Sequence, residues 1–125
     1  MKLQSDPQSG ANTITGYGDG YVEINQTPYS HAVLLSSDGN IKEWPVKSFD
    51  ELAAANFTQM VDLKPELIII GTGNRQRFPK PELVKTLIDA KVGFEIMDSQ
   101  AACRTYNILV SEGRRVLLAL IVEAT

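Results

Sequence analysis

An apolar segment in the middle of the chain, Leu67–Ile70, contains no polar position and ends at Gly71-Thr72-Gly73. An apolar run without alternation is typical of a strand that is covered on both faces, as strands of parallel sheets are. Gly71 and Gly73 permit backbone angles or close approaches that a Cβ atom would prevent. The pattern therefore predicts a buried strand that leads into a tight loop, where α/β proteins often keep their sites.

The first part of the chain, residues 13–47, has the pattern of short strands separated by turn residues. Two hairpins are predicted, and their strands are Thr13–Tyr17 with Tyr21–Ile24, and His31–Leu35 with Ile41–Trp44. Their turns are Gly18–Gly20 and Ser36–Asn40, which contain the glycines and the Asp-Gly pair that favour hairpins. This part is therefore predicted to be β-rich.

The apolar period becomes helical after Trp44-Pro45. Ser48 and Glu51 have the spacing of a capping box, which predicts a short helix whose apolar face includes Phe49, Leu52 and Phe57. Because proline is tolerated in the first turn of a helix, Pro79 and Pro81 predict a second helix start.

A strand at Val92–Met97 follows, and Ser99 is predicted to cap a third helix that Gly113 ends. The last strand is predicted at Val116–Val122. Residues 48–122 thus end in a strand-helix-strand-helix-strand order with short connections, which implies three parallel strands.

Length, composition and charge exclude several classes of protein. A chain of 125 residues with 43% hydrophobic residues fits a single globular domain, here 13–125 after a flexible N-terminal segment, 1–12. A net charge of −3 argues against a nucleic-acid partner, which needs a clustered basic face. The polar N-terminus matches neither a secretory signal nor a transit peptide, and no apolar stretch is long enough to span a membrane. We therefore expect a cytoplasmic protein.

The chemistry that the loop after Ile70 best supports is anion binding. Free N–H groups of a glycine loop and of a helix N-terminus are hydrogen-bond donors, and arginines add charge-assisted bonds. The candidate ligand-binding residues are Gly71, Thr72, Gly73, Arg75, Arg77, Asp98, Ser99 and Arg104. The alternative is a purely structural turn with solvated arginines, because the segment matches neither the dinucleotide fingerprint nor the P-loop.

Other reactive side chains give no catalytic pattern. Cys103 falls opposite the apolar stripe of its helix, so it is either exposed or packed against a second element, and nothing pairs it with the sole histidine, His31. Asp98 is either a general base at a strand end or a residue that favours the helix start. We therefore predict no catalytic residue, no metal site and no cofactor.

Three segments, Ile68–Gly73, Met97–Leu109 and Glu112–Val116, resemble the small-domain family that includes mitochondrial respiratory complex I assembly factor three and the adipogenesis-associated domain protein. The resemblance extends from about Ile14 to Val122. It implies an α/β fold: a single three-layer domain with a mixed, partly parallel central sheet, helices packed on it, and an N-terminal β-hairpin region. It also implies that the biochemical activity is unsettled, and this chain resembles the free-standing bacterial members.

Two functions follow. The first is a non-catalytic protein-binding or assembly module related to respiratory complex I assembly factors, because the mitochondrial relatives act through protein contacts. Its strand edges, such as that of the Tyr17–Ile24 hairpin, offer docking templates for a protein partner or for self-association as a dimer. The alternative is a binder of, or enzyme on, a small anionic ligand such as a phosphometabolite, which uses the Gly71–Gly73 loop and the helix N-terminus at Ser99.

Overall fold

The computed structural model describes residues 10–125, which form two sheets and three α-helices. The strands of the three-stranded antiparallel sheet are β1 (Ile14–Gly18), β2 (Tyr21–Ile24) and β3 (Thr27–Tyr29). The strands of the five-stranded sheet are β4 (Val33–Ser36), β5 (Ile41–Glu43), β6 (Leu67–Gly71), β7 (Gly93–Met97) and β8 (Val116–Leu120). The order in this central sheet is β5-β4-β8-β6-β7.

The central sheet is mixed, because β4 is antiparallel to both β5 and β8 whereas β8, β6 and β7 run parallel. The helices are α1 (Ala54–Asp62), α2 (Pro81–Asp89) and α3 (Ser99–Ser111). The predicted α/β class and the three parallel strands are confirmed. Pro81 is the first residue of α2, and Gly113, with φ at +83°, follows the end of α3, both as predicted.

Both faces of the central sheet are buried, which explains why β6 and β8 are apolar at every position. Ile68 and Ile70 face the α1 and α2 layer, where Phe57 and Leu87 belong to the same core. Ile69 lies in the other core, which α3 and the three-stranded sheet cover. The molecule thus has three layers, as the resemblance implies.

The three-stranded sheet contains the predicted first hairpin and one strand that the sequence pattern missed. β3 has only three residues and includes Pro28, and it follows a turn in which Asn25 and Gln26 have φ of +51° and +70°. Glutamine is an unusual residue for a positive φ, so this turn carried no recognisable signal. Asn107 of α3 binds this sheet at Ile14, accepting from its N–H at 2.9 Å and donating to its carbonyl at 2.8 Å.

The predicted capping box at Ser48 is wrong. Ser48 makes no side-chain capping bond, and residues Phe49–Glu51 form only a short 3₁₀ turn, because the Glu51 carboxylate accepts from the Lys47 N–H instead. The α-helix begins later, at Ala54, where the Asn56 side chain accepts from the Ala53 N–H at 2.8 Å.

The predicted cap of the third helix is displaced by one residue. Asp98 rather than Ser99 is the N-cap of α3, and its carboxylate accepts from the Ala101 N–H at 2.9 Å.

The predicted flexible N-terminal segment, 1–12, falls largely outside the described residues. Asn12, at its end, donates from its side chain to the carbonyls of Ser36 and Gly39 at 2.8 and 2.9 Å.

Candidate functional site

The carboxyl ends of the parallel strands meet at one edge of the central sheet, where two candidate segments come together. β6 and β7 pair in parallel, and Gly71 at the end of β6 lies opposite Met97 at the end of β7. The loop after β6 leads to α2 on one face, and Asp98 begins α3 on the other. Crevices at such points are the usual ligand sites of open α/β sheets. The structure therefore brings Gly71–Gly73 next to Asp98 and Ser99, and we name this region the glycine junction, with Arg77 and Glu123 as its other members.

The N–H groups of the glycine junction are paired within the chain. The Thr72 N–H donates to the Met97 carbonyl at 2.9 Å, and the Gly73 N–H donates to Ser99 Oγ at 2.8 Å. Ser99 Oγ in turn donates to the Ile121 carbonyl at 2.6 Å. These donors are the ones on which anion binding would depend.

Glu123 completes the junction from the C-terminal side. Its carboxylate accepts from the Asn74 N–H at 2.9 Å and from Arg77 Nη2 at 2.9 Å. Burial alone raises the pKa of Glu123, but the Asn74 hydrogen bond and the Arg77 guanidinium outweigh it and hold the pKa below the ordinary 4.5. The ionised carboxylate of Glu123 is thus held in place by hydrogen bonds from Asn74 and Arg77.

Arg77 is also used internally. Its Nη2 donates to the Thr72 carbonyl at 2.7 Å as well as to Glu123, and its Cζ lies 4.9 Å from the centre of the Phe49 ring. Its Nε is buried and has no hydrogen-bond acceptor in the described part of the chain. The guanidinium therefore stabilises the junction between β6, the 3₁₀ turn and the C-terminal segment.

Neighbouring residues approach both glycines of the junction so closely that neither position has space for a side chain. A Cβ atom on Gly71 would lie 2.6 Å from Leu120 Cδ1 and 3.1 Å from Ser99 Cα. A Cβ on Gly73, where φ is +102°, would overlap the Glu123 carboxylate. Such distances leave no space for a side chain, so the two glycines are explained by packing.

The two remaining candidate residues, Arg75 and Arg104, lie in different places. Arg75 is exposed on the loop, where its charge contributes to the lowered pKa of Glu123. Arg104 does not join the junction, because its Nη1 donates to the Tyr17 hydroxyl of β1 at 3.2 Å. A ligand-binding role for these residues stays a prediction, and the internal pairing of the junction favours the structural alternative.

Cys103 packs against a second element, which was one of the two predicted environments. It is buried in the core that includes Ile14 and Val22 of the three-stranded sheet. Burial raises the pKa of its thiol to about 12. Since the thiolate is the reactive form, this thiol is poorly suited to nucleophilic chemistry.

A cavity lies beside the junction at the same edge of the sheet, and we name it the Trp44 cavity. Its volume is about 510 Å³. It is open to solvent, and its charged and aromatic lining residues are His31, Glu43, Trp44, Lys47 and Glu51. Val122 also lines it, and Val122 directly precedes Glu123 of the junction. Val33 pairs with Leu120, so the start of β4 and the end of β8 meet here.

Two residues that line the Trp44 cavity each have a ring nitrogen without a hydrogen-bond partner in the described part of the chain. The His31 Nδ1 lies 2.9 Å from the Ala32 carbonyl, and because a carbonyl only accepts, Nδ1 is the donor in this contact and Nε2 has no partner in the described chain. Trp44 is 1% exposed, and its indole N–H has no acceptor among residues 10–125. The sequence pattern missed this cavity, because its walls come from residues around positions 31, 44 and 122, which no local motif connects.

Residues 10–125 contain neither a metal-binding cluster nor a helix that could span a membrane. No cluster of three or more histidine, cysteine, aspartate or glutamate side chains there is arranged to hold a metal ion. No helix in that range has the length and apolar character needed to cross a bilayer.

Comparison with known proteins confirms the resemblance of the sequence. A "13 kDa major membrane protein" of Francisella tularensis is 30% identical over 97% of this chain and 99% of its own length. NADH dehydrogenase [ubiquinone] 1 alpha subcomplex assembly factor 3 of Mus musculus is also 30% identical and matches 95% of this chain, which spans only 64% of that relative.

Among solved structures, a crystal structure of a Bordetella parapertussis protein is 46% identical, with a TM-score of 0.85 over 90% of this chain and 97% of the other. The family model described as "Protein of unknown function (DUF498/DUF598)" matches residues 14–121. This chain therefore belongs to the DUF498/DUF598 family of proteins of unknown function.

Proposed function

We propose that this protein is a bacterial, non-catalytic protein-binding module that assists the assembly of a larger complex, as the named assembly factor 3 relatives suggest. The observation that carries the proposal is Phe78. Its side chain is 70% exposed in the loop between β6 and α2, although the loop around it is held in place.

The loop that presents Phe78 is fixed at several points. Thr72 Oγ1 donates to the Arg75 carbonyl at 2.7 Å, and the Arg77 N–H donates to Thr72 Oγ1 at 3.1 Å. Gln76 Nε2 donates to the Ile96 carbonyl at 2.9 Å, and Pro79 is buried directly after Phe78. An aromatic side chain that a rigid loop exposes loses little conformational entropy on binding, which is the property of an interface anchor.

Three reactive groups of the glycine junction and of α3 support a non-catalytic role. The Ser99 hydroxyl both donates and accepts within the chain, the Asp98 carboxylate caps α3, and the Cys103 thiol is buried with a raised pKa. Each of these groups has a structural task, so a reaction would require it to be released first.

The test compares wild type with Phe78→Ser and with Ile108→Ser, a control on α3 whose side chain is 59% exposed. Partners that co-purify from the native host are identified, and the binding of each purified partner is then measured. We expect Phe78→Ser to weaken at least one partner about tenfold or more, as truncation of an aromatic anchor does. Ile108→Ser should bind like wild type. Identical binding by all three proteins would remove Phe78 as the anchor, and the absence of any partner would overturn the proposal.

Three finer expectations have their own measurements. A dimer is tested by sedimentation of wild type and Phe78→Ser over a range of concentrations. A cytoplasmic location is tested by fractionation of the native host. A role in complex I assembly predicts that deletion of the gene in a host with that complex lowers its amount on native gels, and an unchanged amount would contradict that role.

A further inference from the structure

We propose that the Trp44 cavity binds the cationic end of a lysine or arginine side chain from a protein partner. The cavity and its charges are independent of Phe78, but the choice of a protein as the source of the cation rests on the proposed function. The site lies beside the loop of Phe78 at the same sheet edge, since Arg77 precedes Phe78 and contacts Phe49, two residues before Glu51.

The cavity is large enough to hold a long side chain. A volume of about 510 Å³ is within the range of small-ligand sites, which is roughly 300–1,000 Å³. Trp44, Pro45 and Val46 form apolar parts of the wall. An aliphatic stem of lysine or arginine packs on such a surface while its charged end reaches polar groups.

The polar groups of the cavity are mainly acceptors. Glu43 and Glu51 are exposed at the cavity and have no ion pair in the part of the chain that the structure describes. Lys47 is the single lysine or arginine among the lining residues. Two carboxylates against one ammonium group favour a ligand that is positively charged and rich in donors.

Trp44 adds an observation that does not depend on charge. Its side chain lines the cavity although it is only 1% exposed, so it contributes a fixed apolar wall rather than a hydrogen-bond donor. The acceptor-rich rim and this apolar wall together describe a site for a basic side chain, whose stem packs on the wall while its charged end reaches the rim.

The chain offers its own reporter for the first experiment, because Trp44 is its only tryptophan. Trp44 fluorescence is titrated with n-butylguanidinium and n-butylammonium, and with butanol and butanoate as neutral and anionic controls. The cations should give a saturable change that salt weakens, and the controls should give none. Equal responses to all four compounds, or none to the cations, would overturn the proposal.

Carboxylate variants give the second readout. We expect Glu51→Gln to weaken n-butylguanidinium binding about threefold and the double variant Glu43→Gln/Glu51→Gln about tenfold, as the loss of exposed charge pairs does. Lys47→Gln should strengthen it about twofold, because a like charge is removed. The matched control is Glu95→Gln, whose side chain is exposed on β7 and which should change nothing. Loss of binding in the control, or unchanged binding in the double variant, would contradict the assignment.

The two proposals fail in different ways. If the cations bind but no protein partner is found, the cavity assignment stands, the proposed function fails and the cation is a free amine. If a partner depends on Phe78 but binds Glu43→Gln/Glu51→Gln as it binds wild type, the proposed function stands and the cavity assignment fails. Both proposals are supported if Phe78→Ser and Glu43→Gln/Glu51→Gln each weaken the binding of one partner. Substitution of a basic residue in that partner should then weaken binding as well.

Discussion

The glycine junction and the Trp44 cavity lie side by side at the carboxyl edge of the central sheet, and they differ in how their polar groups are used. In the junction, the N–H groups of Thr72 and Gly73 and the carboxylate of Glu123 bond within the chain. In the cavity, Glu43 and Lys47 form no ion pair with a described residue, and the Trp44 N–H has no acceptor.

This difference shows that the topological position of a segment does not determine its role. The carboxyl ends of parallel strands collect loops and helix N-termini, but a donor that already has a partner contributes to stability instead of binding. The junction is therefore interpreted as a structural joint, and the cavity as the part of the edge that retains binding capacity. Substitutions in the two regions test that distinction.

Gly73→Ala should give the largest loss of stability. The new Cβ overlaps the Glu123 carboxylate at a φ of +102°, so we expect the free energy of unfolding to fall by about 3 kcal/mol. Urea unfolding measures it. The control is Gly113→Ala, which has a φ of +83° but open space around it, and which should cost about 1 kcal/mol. Equal losses would mean that backbone strain alone, and not the close approach, accounts for Gly73.

Ser99→Ala should have an intermediate effect. It removes the acceptor of the Gly73 N–H and the donor to the Ile121 carbonyl, and the unpaired groups should cost about 2 kcal/mol. Ser111→Ala removes an exposed hydroxyl that donates to Ile108, and it should stay within about 0.5 kcal/mol of wild type. A Ser99→Ala protein as stable as wild type would show that water or a ligand readily replaces the hydroxyl, which would reopen the junction as a binding site.

Glu123→Gln should have the smallest effect of the three and should depend on pH. The pKa of Glu123 is lowered in the folded state, so its ionised form stabilises the protein above the unfolded value of about 4.5, and this contribution is lost as the pH falls through the lower folded value. We expect Glu123→Gln to cost about 1 kcal/mol at pH 7 and progressively less below pH of about 4.

The matched comparison for Glu123 is Glu51→Gln in the cavity. The Glu51 carboxylate has no ion pair with a described residue, and a glutamine oxygen can still accept from the Lys47 N–H. Thermal unfolding at pH 7 and at pH 3 should therefore place Glu51→Gln within about 0.5 kcal/mol of wild type. A larger cost at Glu51 than at Glu123 would reverse the roles assigned to the two regions.

The central part of the fold follows from local sequence. Leu67–Ile70 has the continuous apolar pattern of a strand buried on both faces, and the structure places it in the middle of three parallel strands. Gly113 and Pro81 mark helix ends through backbone preferences that act within a few residues. The helix cap was predicted one residue late, because adjacent Asp98 and Ser99 are both good caps and only the fold assigns Ser99 to Gly73.

The α/β class, the parallel strands and the position of the glycine loop follow from the sequence alone, because these depend on periodicity and on residues close together in the chain. The role of the loop depends on contacts between distant segments, since the partner of Gly73 is 26 residues away and that of Asn74 is 49 residues away. The same holds for the Trp44 cavity, whose walls come from the start of β4, the end of β5 and the residues after β8. Hydrogen-bond satisfaction and open volume are properties of the packed molecule, and no local pattern specifies them.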